Sequence, residues 1–373
     1  MASSRTIAII GASYLQRPLV EKAKEMGLRT IVFAWREGAV CEGIADVFYP
    51  VSIVEKEEIL EICRKERIDG ICTIASDVAA PTVAYVADAL GLPGNTPEAA
   101  LKANNKFLMR EAFSRARVPC PGFRMVKTPE FDGARDLVFP LIVKPSDRSG
   151  SLGVTKVYRE EDLKEAVEKA LGFSFRKEAM VEEFLDGREI SVEFISYKGV
   201  HYPLQITDKV TTEAPHFVEL EHHQPSTLPE DVQERIYGLT EKALDALGIE
   251  FGASHTEYKI TSDGRIGIME LGGRMGGDFI GSDLVRLSTG YDFVEGVIKV
   301  ALGEFNPPEK TLRRHSGVYF LCRETERLLP VFERGPQSWT VRMERTSDEL
   351  KNVECSADRS GYVIYCDSKK VIL

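Results

Sequence analysis

Residues 252–274 read GASHTEYKITSDGRIGIMELGGR and give the clearest indication of local structure in the chain. Two runs of strand-forming residues flank Asp263-Gly264, a dipeptide that strongly favours a two-residue β-hairpin turn. This turn places Glu257 directly opposite Glu270 on one face, and it places Tyr258 opposite Met269 and Thr256 opposite Leu271 on the other. We therefore predict a hairpin with one buried face and one face that carries the acids.

The two opposed acids suggest a metal site. Side chains directly opposite each other in a hairpin have Cβ atoms about 5 Å apart, where two bare carboxylates repel. A few oxygen ligands with room for water and phosphate oxygens suit Mg²⁺ in a nucleotide site. Glu257 and Glu270 are therefore predicted metal ligands, and the alternative is a solvated face that carries two acids by chance.

A second feature lies upstream in residues 139–154, which read FPLIVKPSDRSGSLGV. An apolar strand ends at Lys144, and a loop of small residues, 146–154, follows it. Backbone N–H groups of such a loop can converge on phosphate oxygens, and a lysine adds a point charge. The loop is not a Walker loop because no Gly-Lys-Ser/Thr follows, and a solvated glycine loop remains the alternative.

A third segment, residues 179–193, reads AMVEEFLDGREISVE and predicts a strand, a turn and a second strand. Lys144 with its loop, residues 182–185, Glu257 and residues 270–274 occur in the order that resembles the ATP-grasp superfamily. The resemblance implies a multidomain α/β and α+β fold. It comprises a Rossmann-like domain over 1–103, an ATP-grasp domain over 104–306 with its metal hairpin at 252–274, and a β-rich C-terminal cap over 307–373.

The resemblance also implies roles for single residues. Arg274 and Lys144 are the expected catalytic residues, and the planar guanidinium of Arg274 suits a carboxylate or an acyl phosphate. Many relatives carry asparagine where this chain has Gly272, so one oxygen ligand is missing. The expected ATP contacts are Lys106 and Lys144 at the phosphates, Ser149, Gly150, Ser151 and Gly153 in the covering loop, Glu182, Glu183, Phe184 and Leu185 at the adenine, and Glu189 at the ribose.

The activity implied by the resemblance is an ATP-dependent carboxylate–amine ligase. Such an enzyme uses Mg²⁺, for which Mn²⁺ can substitute, and forms an acyl phosphate and then an amide from small-molecule substrates, here expected to be amino acids. The predicted substrate contacts are Asp77, His222, His223, Gly272, Gly273 and Arg274. Zinc at the neighbouring histidines is disfavoured, because adjacent strand residues point to opposite sides and no nearby cysteine or aspartate completes a ligand set.

Composition fits this interpretation. The chain has 373 residues, enough for two or three domains, and a net charge of −10 with dispersed cations, which argues against nucleic acid as a partner. No apolar run is long enough for a membrane span, the first residues do not form a signal sequence, and the 7 cysteines form no Cys-x-x-Cys pair. We expect a cytoplasmic protein without membrane contact, and a homodimer is compatible with the sequence.

The N-terminal region alternates strands and helices, with strands at Thr6–Gly11, Arg29–Phe33 and Gly70–Ile74, which predicts a parallel sheet. A nicotinamide oxidoreductase is one alternative, but the spaced glycine fingerprint and an acid after the second strand are missing. A second alternative is an ATP-grasp enzyme that activates bicarbonate or formate. A third is a non-catalytic nucleotide-binding regulator, for which Gly272 is the only support.

Overall fold

The N-terminal part of the chain forms a parallel sheet in the computed structural model, which describes residues 5–130, 134, 136–148, 152–212 and 216–373. Its elements are β1 (Thr6–Ile10), α1 (Arg17–Glu25), β2 (Arg29–Phe33), β3 (Val47–Tyr49), α2 (Lys56–Glu66), β4 (Gly70–Cys72) and α3 (Ala80–Leu90), with strand order β3-β2-β1-β4. Ile7 and Ile9 pack into one core, and Ala8 and Ile10 pack into another. Burial on both faces explains why β1 is apolar from Ile7 to Ile10.

A small antiparallel sheet follows. Its elements are α4 (Pro97–Asn104), α5 (Lys106–Arg115), β5 (Phe123–Val126), β6 (Leu141–Pro145), β7 (Thr155–Val157), α6 (Leu163–Phe173) and β8 (Ala179–Glu183), with strand order β5-β8-β6-β7. Asn105 caps α5 by accepting the N–H groups of Phe107 and Leu108. This cap fixes Lys106 as the first residue of the helix.

A large antiparallel sheet holds the remaining strands that the structure describes. Its elements are β9 (Arg188–Tyr197), β10 (Val200–Thr211), β11 (Glu219–Gln224), α7 (Glu230–Leu247), β12 (Gly252–Ile260), β13 (Ile266–Gly272), α8 (Val285–Thr289), α9 (Phe293–Ala301), β14 (His315–Leu321), α10 (Leu329–Arg334), β15 (Thr340–Arg345) and β16 (Gly361–Asp367). The order is β13-β12-β9-β10-β11-β14-β16-β15, so the C-terminal strands extend this sheet. Both strands predicted over 179–193 exist, but β8 and β9 belong to different sheets.

Two helices connect these layers. Apolar residues of α9, among them Val297 and Ile298, pack on the Ile7 and Ile9 face of the N-terminal sheet. Helix α7 packs Ile236 and Leu244 against the apolar face of the large sheet, together with Tyr258 and other residues. The predicted α/β architecture is confirmed. No described helix is both long and apolar enough to span a bilayer.

The β12–β13 hairpin confirms one part of its prediction and corrects another. Glu257 is opposite Glu270 and Thr256 is opposite Leu271, as predicted. The two-residue turn is wrong, because Thr261 donates its N–H to the carbonyl of Arg265 and the loop comprises residues 262–264. Gly264, at φ +82°, ends this loop as is usual for three-residue hairpin turns.

The pairing of Tyr258 with Met269 is also wrong, because Tyr258 is opposite Ile268. Met269 is therefore the extra residue of a β-bulge. The longer loop shifts the register by one residue and the bulge shifts it back, so the two glutamates meet although the predicted turn was wrong. Tyr258 is fully buried as predicted, whereas Met269 lines the cavity on the acidic side.

Candidate active site

A cavity of about 340 Å³ lies beside the acidic face of the hairpin. It brings together residues that are far apart in the chain and were singled out from the sequence. Those that line it are Asp77, Lys106, Lys144, Glu182, Phe184, Leu185, Glu189, Glu257, Glu270, Gly272 and Arg274. We call this space the nucleotide cavity.

Each of the two opposed acids has a lysine partner. The Nζ atom of Lys209 lies 2.7 Å from Oε1 of Glu257, and that of Lys106 lies 2.6 Å from Oε1 of Glu270. The acid side chains remain 28% and 35% exposed, respectively. Burial disfavours the charged form of Glu257, yet Lys209 and His255 hold its pKa well below the usual range. The carboxylate of Glu257 therefore presents negative charge to the cavity.

Lys209, which the sequence analysis missed, comes from β10. Its ammonium group is buried among Glu189, Glu257 and Glu219, at 2.8, 2.7 and 3.5 Å. Burial works against the charge, but the three carboxylates raise the pKa of Lys209 well above its ordinary value. Lys209 is therefore a buried, charged lysine next to Glu257, the predicted metal ligand, and Glu189, the predicted ribose contact. Such a lysine can donate a charge-assisted hydrogen bond to a phosphate oxygen. No motif surrounds it in the sequence.

His255 adds a second cation next to Glu257. Its Nδ1 lies 2.5 Å from Oε1 of Glu193, and its Nε2 lies 3.4 Å from Oε1 of Glu257. Burial alone would lower the pKa of His255, but the two carboxylates outweigh it and raise the pKa to about 9. This imidazolium was also missed, because its partner Glu193 is brought to it only by the pairing of β9 with β12.

Glu182 occupies a closed ion cluster with Arg110 and Lys144. Arg110 lies 3.0 Å from one oxygen of Glu182, and Lys144 makes a short contact with the other. Burial would raise the pKa of Glu182, yet the two cations lower it overall. Arg110 was not predicted, although it follows Lys106 by one helical turn and so points to the same side of α5. The Nη2 atom of Arg110 also donates to the carbonyl of Met269, which ties α5 to the hairpin bulge.

The segment that crosses between the two sheets carries Phe184 and Leu185. The ring of Phe184 faces the ammonium group of Lys156 at 3.4 Å from its centroid. Leu185 lies so close to Gly267 that a Cβ there would be 2.3 Å from Cδ1 of the leucine. The side chain of Glu183 does not line the nucleotide cavity, and its carboxylate accepts hydrogen bonds from the backbone N–H groups of Gly122 and Val138.

Arg274 and Asp77 form a two-pronged ion pair between the hairpin and the N-terminal region. Nε and Nη2 of Arg274 donate to the two oxygens of Asp77 at 2.8 and 2.7 Å. A Cβ on Gly272 would lie 3.0 Å from Oδ1 of Asp77. Glycine at this position therefore leaves the space that the aspartate fills. A Cβ on Gly273 would approach Ile249 at 3.1 Å.

The adjacent histidines separate as strand geometry requires. His222 lines a cavity next to the nucleotide cavity, and its ring nitrogens have no hydrogen-bond partner among the residues that the structure describes. His223 instead contacts the hydroxyl of Tyr365 and the carboxylate of Glu221, both at 2.9 Å. The structure thus places His222 near the site and His223 in a network on the other side of the strand.

The phosphate-covering loop is described only in part. Gly153 has φ +75°, and a Cβ there would lie 2.9 Å from the ring of Phe173. Ser149, Gly150 and Ser151 lie outside the described residues.

The donor set fits magnesium. Within the described residues no group of three or more His, Cys, Asp or Glu side chains has a metal-binding arrangement. Mg²⁺ typically takes one or two carboxylates and completes its six positions with water and substrate phosphates. Glu257 and Glu270, opposed and partly exposed in an open cavity, match that requirement.

The sequence model of one protein family, described as an ATP-grasp domain, matches residues 137–283. That range contains Lys144, residues 182–185, both opposed glutamates and Arg274. Residues 137–283 thus match an ATP-grasp domain, which confirms the resemblance seen in the sequence.

Similar proteins include ligases. The chain is 33% identical over 248 residues to alanine–anticapsin ligase of Bacillus subtilis, a match that covers 59% of this chain and 51% of that protein. It is 25% identical over 333 residues to carnosine synthase 1 of Gallus gallus, covering 81% of this chain and 36% of that protein. The chain thus spans about half the length, or less, of these relatives. A solved L-amino acid ligase from Bacillus licheniformis has the same fold, with a TM-score of 0.81 at 24% identity over 99% of this chain and 95% of that one.

Proposed function

We propose that this chain is an ATP-dependent carboxylate–amine ligase that activates an amino acid as an acyl phosphate. The observation that carries the proposal is the nucleotide cavity, where Glu257, Glu270, Lys106, Lys209 and Arg274 converge. Phosphoryl transfer needs positioning and charge compensation more than covalent work by the protein, and these residue types supply both. The name of one similar protein, alanine–anticapsin ligase, agrees with it.

The reaction has two steps. A carboxylate oxygen of the first substrate attacks the γ-phosphorus of ATP, the bond to the β–γ bridging oxygen breaks, and ADP leaves. The amine nitrogen of the second substrate then attacks the carbonyl carbon, the bond to the phosphate oxygen breaks, and the nitrogen loses a proton. Lys106, Lys144 and Lys209 offset negative charge on the phosphates through charge-assisted hydrogen bonds.

Arg274 is the proposed holder of the substrate carboxylate. A guanidinium has five N–H donors. Two of them bind Asp77, and Nη1 donates to the carbonyl of Met275 at 3.3 Å. One N–H of Nη1 and one of Nη2 remain without a partner among the described residues and can bind a carboxylate. Asp77 thereby fixes the orientation of the arginine and lies beside the substrate.

Magnesium bound by Glu257 and Glu270 would supply positive charge to the phosphate oxygens. The other predicted roles complete the proposal. These are the adenine at residues 182–185, the ribose at Glu189, the phosphate loop with Ser149, Gly150, Ser151 and Gly153, and domain limits at 103/104 and 306/307.

The test is release of ADP and phosphate from Mg²⁺ and ATP across pairs of amino acids, with mass spectrometry of the products. We expect substrate-dependent release together with a product whose mass is the sum of both substrates less one water. Arg274→Lys, which keeps the charge but loses the fork, should raise the KM for the carboxylate substrate. Release driven by bicarbonate or formate alone, or no release with any pair, would contradict the proposal.

A further inference from the structure

A second cavity, of about 640 Å³, lies between the N-terminal sheet and the C-terminal strands. Tyr14 and Ala75 line it from the carboxyl ends of β1 and β4, where ligands commonly bind in parallel sheets. Phe279, from the segment after β13, and Tyr362, from β16, line the other side. We call this space the aromatic cavity.

A third cavity, of about 450 Å³, shares lining residues with both the aromatic and the nucleotide cavity. It shares Asp278 and Ala357 with the aromatic cavity, and it shares Glu257, Lys209 and Arg274 with the nucleotide cavity. A substrate held at Arg274 can therefore meet a second molecule that extends into the aromatic cavity.

Four aromatic rings line the cavity, those of Tyr14, Phe279, Phe320 and Tyr362. The rings of Phe279 and Tyr362 have centroids 4.5 Å apart, and those of Phe279 and Phe320 are 6.3 Å apart. Arg342 lies over Phe279 at 5.0 Å. Tyr14 is 60% exposed, which is high for so large an apolar side chain. Together the rings give the cavity an apolar wall that an aromatic or apolar side chain can contact.

The charged groups of the lining already have partners. Arg342 binds Asp283 at 2.9 Å, and Arg359 binds Asp278 at 2.8 Å. Glu344 accepts a hydrogen bond from the hydroxyl of Tyr362 at 2.8 Å. A charged ligand group would have to compete with these contacts. The cavity is therefore better suited to a neutral side chain than to a charged one.

The backbone at this cavity is strained. Asp278 and Phe279 are consecutive non-glycine residues with φ of +48° and +66°, and a π-helical turn, Ile280–Leu284, follows them directly. Such conformations are energetically unfavourable and cluster at ligand sites, as π-helical turns also do. The strain brings Phe279 into the aromatic wall and Asp278 to Arg359.

We infer that the aromatic cavity binds the side chain of the amine substrate and that this side chain is aromatic or a large apolar group. This inference rests on the proposed ligase function. The carboxylate substrate has to reach the γ-phosphate and so lies on the nucleotide side of Arg274. The amine needs only to reach the carbonyl carbon, and its side chain can extend away from the nucleotide.

The experiment is calorimetric titration of L-phenylalanine amide and glycine amide into the full chain saturated with Mg²⁺ and ADP. These amides carry an amine but no carboxylate to activate. We expect phenylalanine amide to bind about tenfold more tightly, as an aromatic contact near the upper end of its usual strength would give. Ala357→Trp adds a large side chain at an exposed position that lines both the aromatic and the third cavity, and it should bring the ratio close to one. Val341→Trp, exposed on β15 and outside the lining, is the matched control and should preserve the ratio.

Equal affinities in the unsubstituted chain, or a ratio unchanged by Ala357→Trp, would overturn the inference. A size preference for the carboxylate substrate, rather than the amine, in the ADP-release assay would overturn the assignment to the amine. The same samples separate this inference from the proposed function. A tenfold ratio of affinities without ADP release for any amino-acid pair would support the inference about the aromatic cavity and contradict the proposed ligase function. ADP release without a size preference would support the ligase function and contradict the inference.

Discussion

Two ion clusters line the nucleotide cavity and differ in what they expose. In the Glu182 cluster, formed by Glu182, Arg110 and Lys144, the carboxylate and the guanidinium are each 1% exposed. In the hairpin cluster, formed by Glu257, Glu270, Lys209 and Lys106, the lysines are mostly buried while the acids are 28% and 35% exposed.

We expect this difference to correspond to a structural role for the Glu182 carboxylate and a binding role for the hairpin acids, while the adenine contacts proposed at residues 182–185 are unaffected. The carboxylate of Glu182 is enclosed by cations from α5 and β6 and so joins two parts of the fold. The acids of the hairpin cluster keep an accessible side, where a cation can enter. Titratable residues near a cavity are therefore better ranked as candidate ligand-binding residues by the exposure of their charged atoms than by the number of such residues.

The largest effect is expected from Arg110→Met. This change removes one cation of the Glu182 cluster and leaves a buried carboxylate with Lys144 as its remaining cation. Breaking a buried ion pair in this way typically costs about 3–5 kcal/mol of unfolding free energy. Denaturant unfolding measures it, with Arg115→Met on the exposed side of the same helix as the control. A loss no greater than that of the control would contradict the structural role.

Glu270→Gln should mainly affect turnover. It keeps the shape of the side chain but removes a predicted magnesium ligand. Loss of a residue that only hydrogen-bonds a metal ligand lowers activity by up to about 100-fold, so we expect kcat to fall by about 100-fold or more. ATP affinity should fall less, because the lysines remain. ADP release over a range of Mg²⁺ concentrations and a nucleotide titration together measure this. Unchanged turnover would refute the metal assignment.

Much of this arrangement could be predicted from the sequence, because motif order and hairpin register are local properties. Glu257 and Glu270 met as predicted, although the turn was longer than predicted and the Met269 bulge compensated for it. Arg110 could have been found from its one-turn spacing from Lys106.

Other contacts could not be predicted from the sequence. Lys209 reaches Glu257 only through the strand order of the large sheet, in which β9 separates β10 from β12. The pairing of Asp77 with Arg274 depends on how the N-terminal sheet docks on the hairpin, and α9 helps to fix that docking through its packing on β1. Neither contact has a sequence spacing that identifies it.

Lys144→Ala tests the one residue that has a place in both the Glu182 cluster and the predicted phosphate contacts. Arg110 still neutralises Glu182 in this variant, so we expect a smaller loss of stability than for Arg110→Met. ATP affinity should fall about tenfold, as the loss of one charge-assisted hydrogen bond of 1.5–3 kcal/mol gives at its lower end. A nucleotide titration measures it, and Lys127→Ala on the exposed surface is the control. Unchanged affinity would leave Lys144 with a structural role alone.

The smallest effect is expected from Glu182→Gln, in the dependence of the unfolding free energy on pH below about pH 4.5. Burial raises the pKa of Glu182, but Arg110 and Lys144 outweigh this effect, and the pKa lies below its ordinary value of 4.5. A carboxyl group with a depressed pKa in the folded state stabilises the protein above its unfolded pKa, and this contribution is lost as the pH falls through the folded value. The difference in unfolding free energy between the unsubstituted chain and Glu182→Gln should therefore be constant above about pH 4.5 and should narrow below it. Exposed Glu161→Gln should show no such narrowing, and a difference that stays constant into the acid range would mean that Glu182 is not held ionised by its cluster.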